Sequence, residues 1–292
     1  MLKGRIIKGI AGFYSVKTDE KIYICKARGL FRKKQHKPIV GDWVTIEVIN
    51  DTEGYIQSIL DRKNRLLRPE VSNIDLAILV FSIKNPKFQS LLLDKLTVMS
   101  EHYDMETIII FNKCDLANKE EIEEINSIYN NIGYKIFYTS IDDDKFINEF
   151  KQCLKNKTSV FAGPSGVGKS TLMNKIVPGV NFQTGEISDK SKRGKHTTRH
   201  SEIVELDNGG FLIDTPGFSS LEMDLLDVEN LENCFREFLK FSSNCKFRTC
   251  KHFKEPNCAV KNAVEINQIS KSRYSNYCML LEEKILNKGR KY

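Results

Sequence analysis

Gly163-Pro164-Ser165-Gly166-Val167-Gly168-Lys169-Ser170 is the stretch on which the reading of this chain turns. It fits the pattern Gly-x4-Gly-Lys-[Ser/Thr] without a gap, follows an apolar run at 159–162 and opens a helical run at 170–177. Glycine lets successive backbone N–H groups turn toward phosphate oxygens, and a helix N-terminus adds favourable partial charge. In such a loop Lys169 reaches the β- and γ-phosphates of a nucleoside triphosphate and assists catalysis. Ser170 then ligates Mg2+, and Thr171 lies beside the phosphates. Further along, Asp214-Thr215-Pro216-Gly217 closes the apolar run 211–213. Its carboxylate suits a water-mediated hold on Mg2+, and the Gly217 N–H suits the γ-phosphate.

Base selection is read upstream. Asn112-Lys113-Cys114-Asp115 follows the apolar run 107–111. A carboxylate at the fourth position accepts from both N1–H and the exocyclic amino group of guanine, a donor pair that adenine lacks on that edge. Asn112 is expected to tether this loop to the phosphate loop, with Cys114 in the same loop and the Lys113 stem covering the ring. Thr139-Ser140 ends the next apolar run, where Ser140 can offer a backbone N–H to guanine O6. The four-residue motif is weak alone and gains specificity at the C-terminal end of a strand, where open α/β sheets bind ligands. GTP and GDP are the ligands this implies.

The order is unusual, because GTPases of the Ras type place the phosphate motif first. A circularly permuted fold builds the same pocket, since neighbours in a sheet need not be neighbours in sequence. The polar segment 181–200 occupies the place of a switch loop. A threonine there completes Mg2+ coordination when the γ-phosphate is present. Thr198 is taken for that role, with the adjacent Thr197 as the alternative. Phe218 stands where Ras-type enzymes carry a water-orienting glutamine. An apolar side chain cannot position water, so His196 is the candidate, unless a partner supplies the group.

The chain has 292 residues, 40% hydrophobic and 28% charged, which fits an ordinary globular protein of two or three domains. No apolar run approaches the roughly 20 residues of a membrane-spanning helix, and no signal-peptide pattern is present, so a cytoplasmic protein without membrane contact is expected. Residues 1–67 carry five short alternating runs, as in a small all-β barrel of the OB type or, alternatively, the SH3-like type. Residues 61–69 read as a linker. Up to Arg68 there are fifteen Lys and Arg against seven Asp and Glu, so this segment carries more than the whole chain's net +7. Such a basic domain suits a phosphate backbone. Residues 68–222 alternate strands with helices, as in an α/β P-loop domain. Residues 223–292 read as helical, with helices near 228–241 and 260–287.

Between those two helices, Cys245-x4-Cys250-x-His252-x5-Cys258 supplies three thiolates and one imidazole. Tetrahedral Zn2+ takes that set in closed structural sites. The surrounding loop is polar and cannot form a core of its own, so one structural Zn2+ is expected to order it, and its lysines make it a further RNA contact.

With these motifs together, the chain resembles the circularly permuted GTPases of the small ribosomal subunit biogenesis (RsgA) family. The resemblance spans nearly the whole length. It rests on Gly41-Asp42-Trp43-Val44, on the reversed order of 112–115 and 163–170, on Gly194-Lys195-His196-Thr197-Thr198, on 214–217 and on the Cys245/Cys250/His252/Cys258 knuckle. The resemblance implies a bacterial GTPase that binds the immature small ribosomal subunit, contacts its rRNA and is stimulated by it. A monomer is expected. Two other readings compete: an RNA-binding module that holds nucleotide as a structural ligand, and a GTP-driven metal chaperone, which the closed ligand set disfavours.

Overall fold

The computed structural model describes residues 1–27, 31, 37–67, 69–140, 143–180, 182, 201–214 and 230–290. Five strands open the chain: β1 (Leu2–Ile10), β2 (Phe13–Lys17), β3 (Ile22–Ala27), β4 (Trp43–Val48) and β5 (Glu53–Ile59). β1 pairs antiparallel with both β2 and β4, β2 with β3, and β4 with β5, while β3 and β5 run parallel. Every strand therefore has two partners and the sheet closes on itself. This connectivity is that of an OB-type barrel and settles the alternative left open above. Alternate residues point inward, so Ile6, Tyr14, Val16, Tyr23, Cys25, Val44, Ile46 and Ile56 are buried.

The expected linker at 61–69 is not one. It leads into β6 (Arg65–Leu67), which pairs with β7 (Glu70–Ser72), and Leu66 and Val71 are buried. Polar composition misled because Arg62, Lys63 and Arg65 are paired with Asp42, Asp75 and Glu70. Arg62 donates through Nε and Nη2 to the two oxygens of buried Asp42, both at 2.7 Å. Asp42 also accepts from Ser72 Oγ at 2.6 Å and Ile39 N at 2.9 Å. Gly41 is required beside it, because its φ is +99° and a Cβ would stand 2.2 Å from the Ser72 carbonyl oxygen.

The α/β elements follow: β8 (Leu76–Ser82), α1 (Ser90–His102), β9 (Glu106–Asn112), α2 (Lys119–Tyr129), β10 (Lys135–Tyr138), α3 (Asp144–Cys153), β11 (Thr158–Ala162), α4 (Lys169–Ile176), β12 (Glu202–Glu205) and β13 (Phe211–Asp214). β8 is buried along its whole length, as a strand covered on both faces must be. A capping box starts α2, where the Asn118 side chain accepts from Glu121 N and the Glu121 side chain accepts from Asn118 N. The chain forms two units, residues 1–77, 144–161 and 169–221 in one, and 78–143, 162–168 and 222–292 in the other. In the first, β11 runs parallel to β13, β13 antiparallel to β12, and β12 antiparallel to β1 of the barrel. In the second, β9 lies between β8 and β10 and runs parallel to β10.

The C-terminal helices are shorter than the periodicity predicts. A 3-10 turn at Leu231–Cys234 precedes α5 (Arg236–Ser242), and two helices, α6 (Ala259–Glu265) and α7 (Lys271–Arg290), replace the single one expected over 260–287. The break is made by Asn267, whose left-handed φ of +59° lets Gln268 N and Ile269 N both reach the Ala263 carbonyl. Ile269 is then buried in the connection.

These helices are locked to α1 by an ionic cluster that periodicity did not reveal. Arg273 on α7 donates through Nη1 to Asp94 Oδ1 at 2.5 Å and through Nε to Glu237 Oε1 at 2.7 Å, and all three are buried. Asn276 Nδ2 and the Tyr129 hydroxyl complete the partners of Asp94. Removing the cation strands two carboxylates away from water. We expect Arg273→Leu to lower the unfolding free energy by about 3–5 kcal/mol, read from urea denaturation. A loss near zero would show that the carboxylates find other partners.

Candidate nucleotide and metal sites

The buried strand β11 delivers the chain into 163–168. Gly163 leaves that strand at φ +136°, and a Cβ there would stand 2.0 Å from the carbonyl oxygen of Val80 on β8. Only glycine lets the loop start this close to a neighbouring backbone. Helix α4 begins at Lys169, immediately after the loop, with Ser170 and Thr171 in its first turn. Burial lowers the Lys169 ammonium to about 8, so an anion brought to it regains the stabilisation that water would have given.

The base motif meets the phosphate loop directly. β9 ends at Asn112, whose Nδ2 donates to the Val167 carbonyl at 2.8 Å, and Asn112 is buried. Lys113, at a left-handed φ of +60°, donates through Nζ to the Gly166 carbonyl at 2.7 Å and the Asn85 carbonyl at 3.1 Å. Two consecutive side chains therefore hold the 163–168 loop from below. Cys114 and Asp115 lie in a 3-10 segment, Cys114–Leu116, in which the half-buried Cys114 thiol donates back to the Phe111 carbonyl at 3.1 Å and Asp115 is exposed. Cys114 N donates to the Thr139 carbonyl at 3.0 Å, and Thr139 N to the Phe111 carbonyl at 2.9 Å. These bonds set the segment ending in Ser140 beside the base motif. Both β9 and β10 point their C-terminal ends the same way, the end at which open α/β sheets hold ligands.

β13 runs parallel to β11 with Ile213 opposite Val160, so Asp214 falls at the C-terminal end of its strand. His196, Thr197, Thr198 and Gly217 lie outside the described residues.

The second constellation is the cysteine–histidine loop. The Sγ atoms of Cys245, Cys250 and Cys258 and a ring nitrogen of His252 all lie within 4.8 Å of one another. Nδ1 of His252 stands 3.5 Å from Cys245 Sγ and 3.3 Å from Cys258 Sγ, and those two sulfurs are 3.9 Å apart. Tetrahedral zinc, with sulfur at about 2.3 Å and nitrogen at about 2.0 Å, sets its ligand atoms roughly 3.5–3.8 Å apart, so the donors fit. Burial pushes the Cys250 thiol up to about 12, so thiolates here require a cation beside them. Burial also lowers His252, which keeps the imidazole neutral and able to ligate.

Sequence reasoning passed over the groups that hold this loop. The Tyr274 hydroxyl donates to the His252 carbonyl at 2.8 Å, and the Tyr277 hydroxyl donates to the Lys251 carbonyl. Glu255 accepts from Lys251 N at 2.7 Å and Phe253 N at 2.9 Å. A tyrosine pair three residues apart on a helix facing a cysteine-rich loop was the available signal. The Asn85 contact of Lys113 had none, since nothing in the sequence brings those positions together.

Comparison with known proteins places these features in context. The family model described as RsgA GTPase matches residues 59–224, and that of the RsgA N-terminal domain matches residues 3–56. A small ribosomal subunit biogenesis GTPase RsgA of Caldanaerobacter subterraneus subsp. tengcongensis is 47% identical over 291 residues, covering 100% of this chain and 98% of the relative. The crystal structure of YjeQ from Thermotoga maritima superposes with a TM-score of 0.83 at 34% identity, covering 97% of this chain and 98% of that one. YloQ, described as a circularly permuted GTPase, gives 0.81 at 37% identity, covering 98% and 96%.

Proposed function

The chain belongs to the RsgA GTPase family, a family of GTP hydrolases acting in ribosome biogenesis, and from that premise we propose that it binds the small ribosomal subunit, acts late in its maturation and hydrolyses GTP faster when bound there. The observation that carries the nucleotide reading is the Asn112 bond to Val167. It ties the base motif to the phosphate loop although the two stand in reversed order along the chain. One purine nucleotide can then span both.

The roles follow from the chemistry of each group. Asp115 accepts the two donors of guanine, Lys113 and Cys114 flank the ring, and Ser140 N–H serves O6. The backbone of Gly163, Pro164, Ser165, Gly166, Val167 and Gly168 cradles the phosphates. Lys169 neutralises charge that moves onto the bridging oxygen, with Thr171 beside it. Mg2+, when bound, draws charge off the β- and γ-phosphates. Ser170, Thr198 and Asp214 are the residues that would hold it, and the Gly217 N–H would serve the γ-phosphate. His196 is the proposed water-orienting group. Cys245, Cys250, His252 and Cys258 are assigned one structural Zn2+. The basic barrel, residues 1–67, is assigned to rRNA, residues 68–222 to the GTPase domain and 223–292 to the zinc-knuckle domain. A cytoplasmic monomer suits this work, and among the described residues no helix is long and apolar enough to cross a membrane.

The test is GTP turnover titrated with purified small subunits, with Ser170→Ala as the inactive control. Turnover should be slow alone and climb steeply with subunits, but not with free rRNA at equal concentration. A rate indifferent to subunits would leave an RNA-binding module with nucleotide as a structural ligand.

A further inference from the structure

A short junction joins the barrel to the strand that ends at Asp214. β1 and β12 meet at a single registered pair, Lys8 opposite Glu202. On its other side Glu202 stands opposite Asp214 in the β12–β13 ladder. Lys8, Glu202 and Asp214 therefore form one row across three strands. Side chains reinforce it, since Lys8 Nζ contacts Glu202 Oε2 at 2.7 Å. A second row lies at the other end of β12. Lys17 of β2 pairs with Glu205, Glu205 stands opposite Phe211, and the buried Arg5 guanidinium stacks 4.9 Å from the Phe211 ring. Arg5 is itself fixed within the barrel wall by its bonds to the Gly41 and Asn73 carbonyls.

We propose that Lys8–Glu202 and Lys17–Glu205 are positioning pairs through which a subunit held by the barrel is felt at the register of the Asp214 strand. The inference rests on the subunit-stimulated reading above. Physically, β12 has four residues and is clamped between the barrel and β13. With one registered backbone pair at the junction, the two ion pairs add side-chain links between the barrel and β12. A load placed on the barrel by a large polyanion then passes along both rows to β13. Surface ion pairs contribute little to stability, so these four side chains can be altered without unfolding the chain. Neither glutamate belongs to the nucleotide set.

The experiment compares wild type with Glu202→Lys/Glu205→Lys and with the four-residue swap that adds Lys8→Glu and Lys17→Glu. Each is assayed for turnover alone and across a titration of purified small subunits carried to saturation. We expect the double reversal to keep its unstimulated rate and its half-saturating subunit concentration, while the maximal stimulated rate drops about tenfold. The swap restores it. An unchanged maximum, an equal fall in the unstimulated rate, or a swap that fails to restore would each overturn the inference. Failure of the underlying reading is separately visible, since wild type itself would then show no rise with subunits.

Discussion

Asp115→Asn should weaken GTP binding by about a hundredfold to a thousandfold and give the protein a preference for xanthosine triphosphate. The carboxylate of Asp115 is exposed in the turn that follows β9, and the loop carrying it is fixed by Asn112 and Lys113. A rigid acceptor of this kind suits two parallel N–H donors. An amide in its place keeps one acceptor and turns a donor toward the exocyclic amino group of guanine, where two donors then face each other. Xanthine carries a carbonyl at that position and keeps N1–H, so the amide pairs with it fully. Competition of GTP, XTP and ATP against a fluorescent guanine nucleotide reads the exchange directly. Equal loss for every nucleotide would mean that the substitution disturbed the loop rather than the base edge. An unchanged preference for GTP would remove Asp115 from the pocket, and with it the assignment of 112–115 as the base motif.

How the two loops come together was only partly legible in the primary order. The spacing of 163–170 between an apolar run and a helical run placed that loop on β11 and α4, because hydrophobic runs and glycine geometry are local properties. The Asn112 bond was anticipated from its motif, but the Asn85 contact of Lys113 depends on how β8 and β9 lie side by side, which is not local. Similarly, the buried Arg273 sits in a helix whose sequence reads as amphipathic and polar. Its partners Asp94 and Glu237 lie far apart along the chain, and only packing shows that all three share one dry pocket. The segment 61–69 failed for the same reason: Arg62 looked like a solvated charge until Asp42 closed on it. At 266–270 the helical pattern ran on, and a single left-handed asparagine ended the helix against it. The knuckle, by contrast, was readable because four ligands within fourteen residues make a chelate by proximity alone.

Removing the metal from that knuckle should unfold it while leaving nucleotide binding intact. The four donor atoms already stand within 4.8 Å of one another, and three of the four residues are buried. Structural zinc in small peptides binds with apparent free energies of about 10–16 kcal/mol, most of which appears as folding free energy. The loop has little else: Glu255 closes two backbone N–H groups, and two tyrosines of α7 hold the Lys251 and His252 carbonyls. Those contacts orient the ligands but do not neutralise three thiolates. Purified protein is expected to retain one equivalent of zinc through dialysis. Since altering groups behind a ligand costs roughly ten- to a hundredfold in metal affinity, loss of a ligand in Cys258→Ser should exceed that. Amide exchange over 245–258 should rise sharply in this variant, and the melting temperature should fall. Unstimulated GTP turnover should stay as it was, because no group assigned to the nucleotide comes from this loop. Turnover that vanished with the metal would place zinc in the reaction, and a loop equally protected without it would show that protein contacts alone suffice to fold these residues.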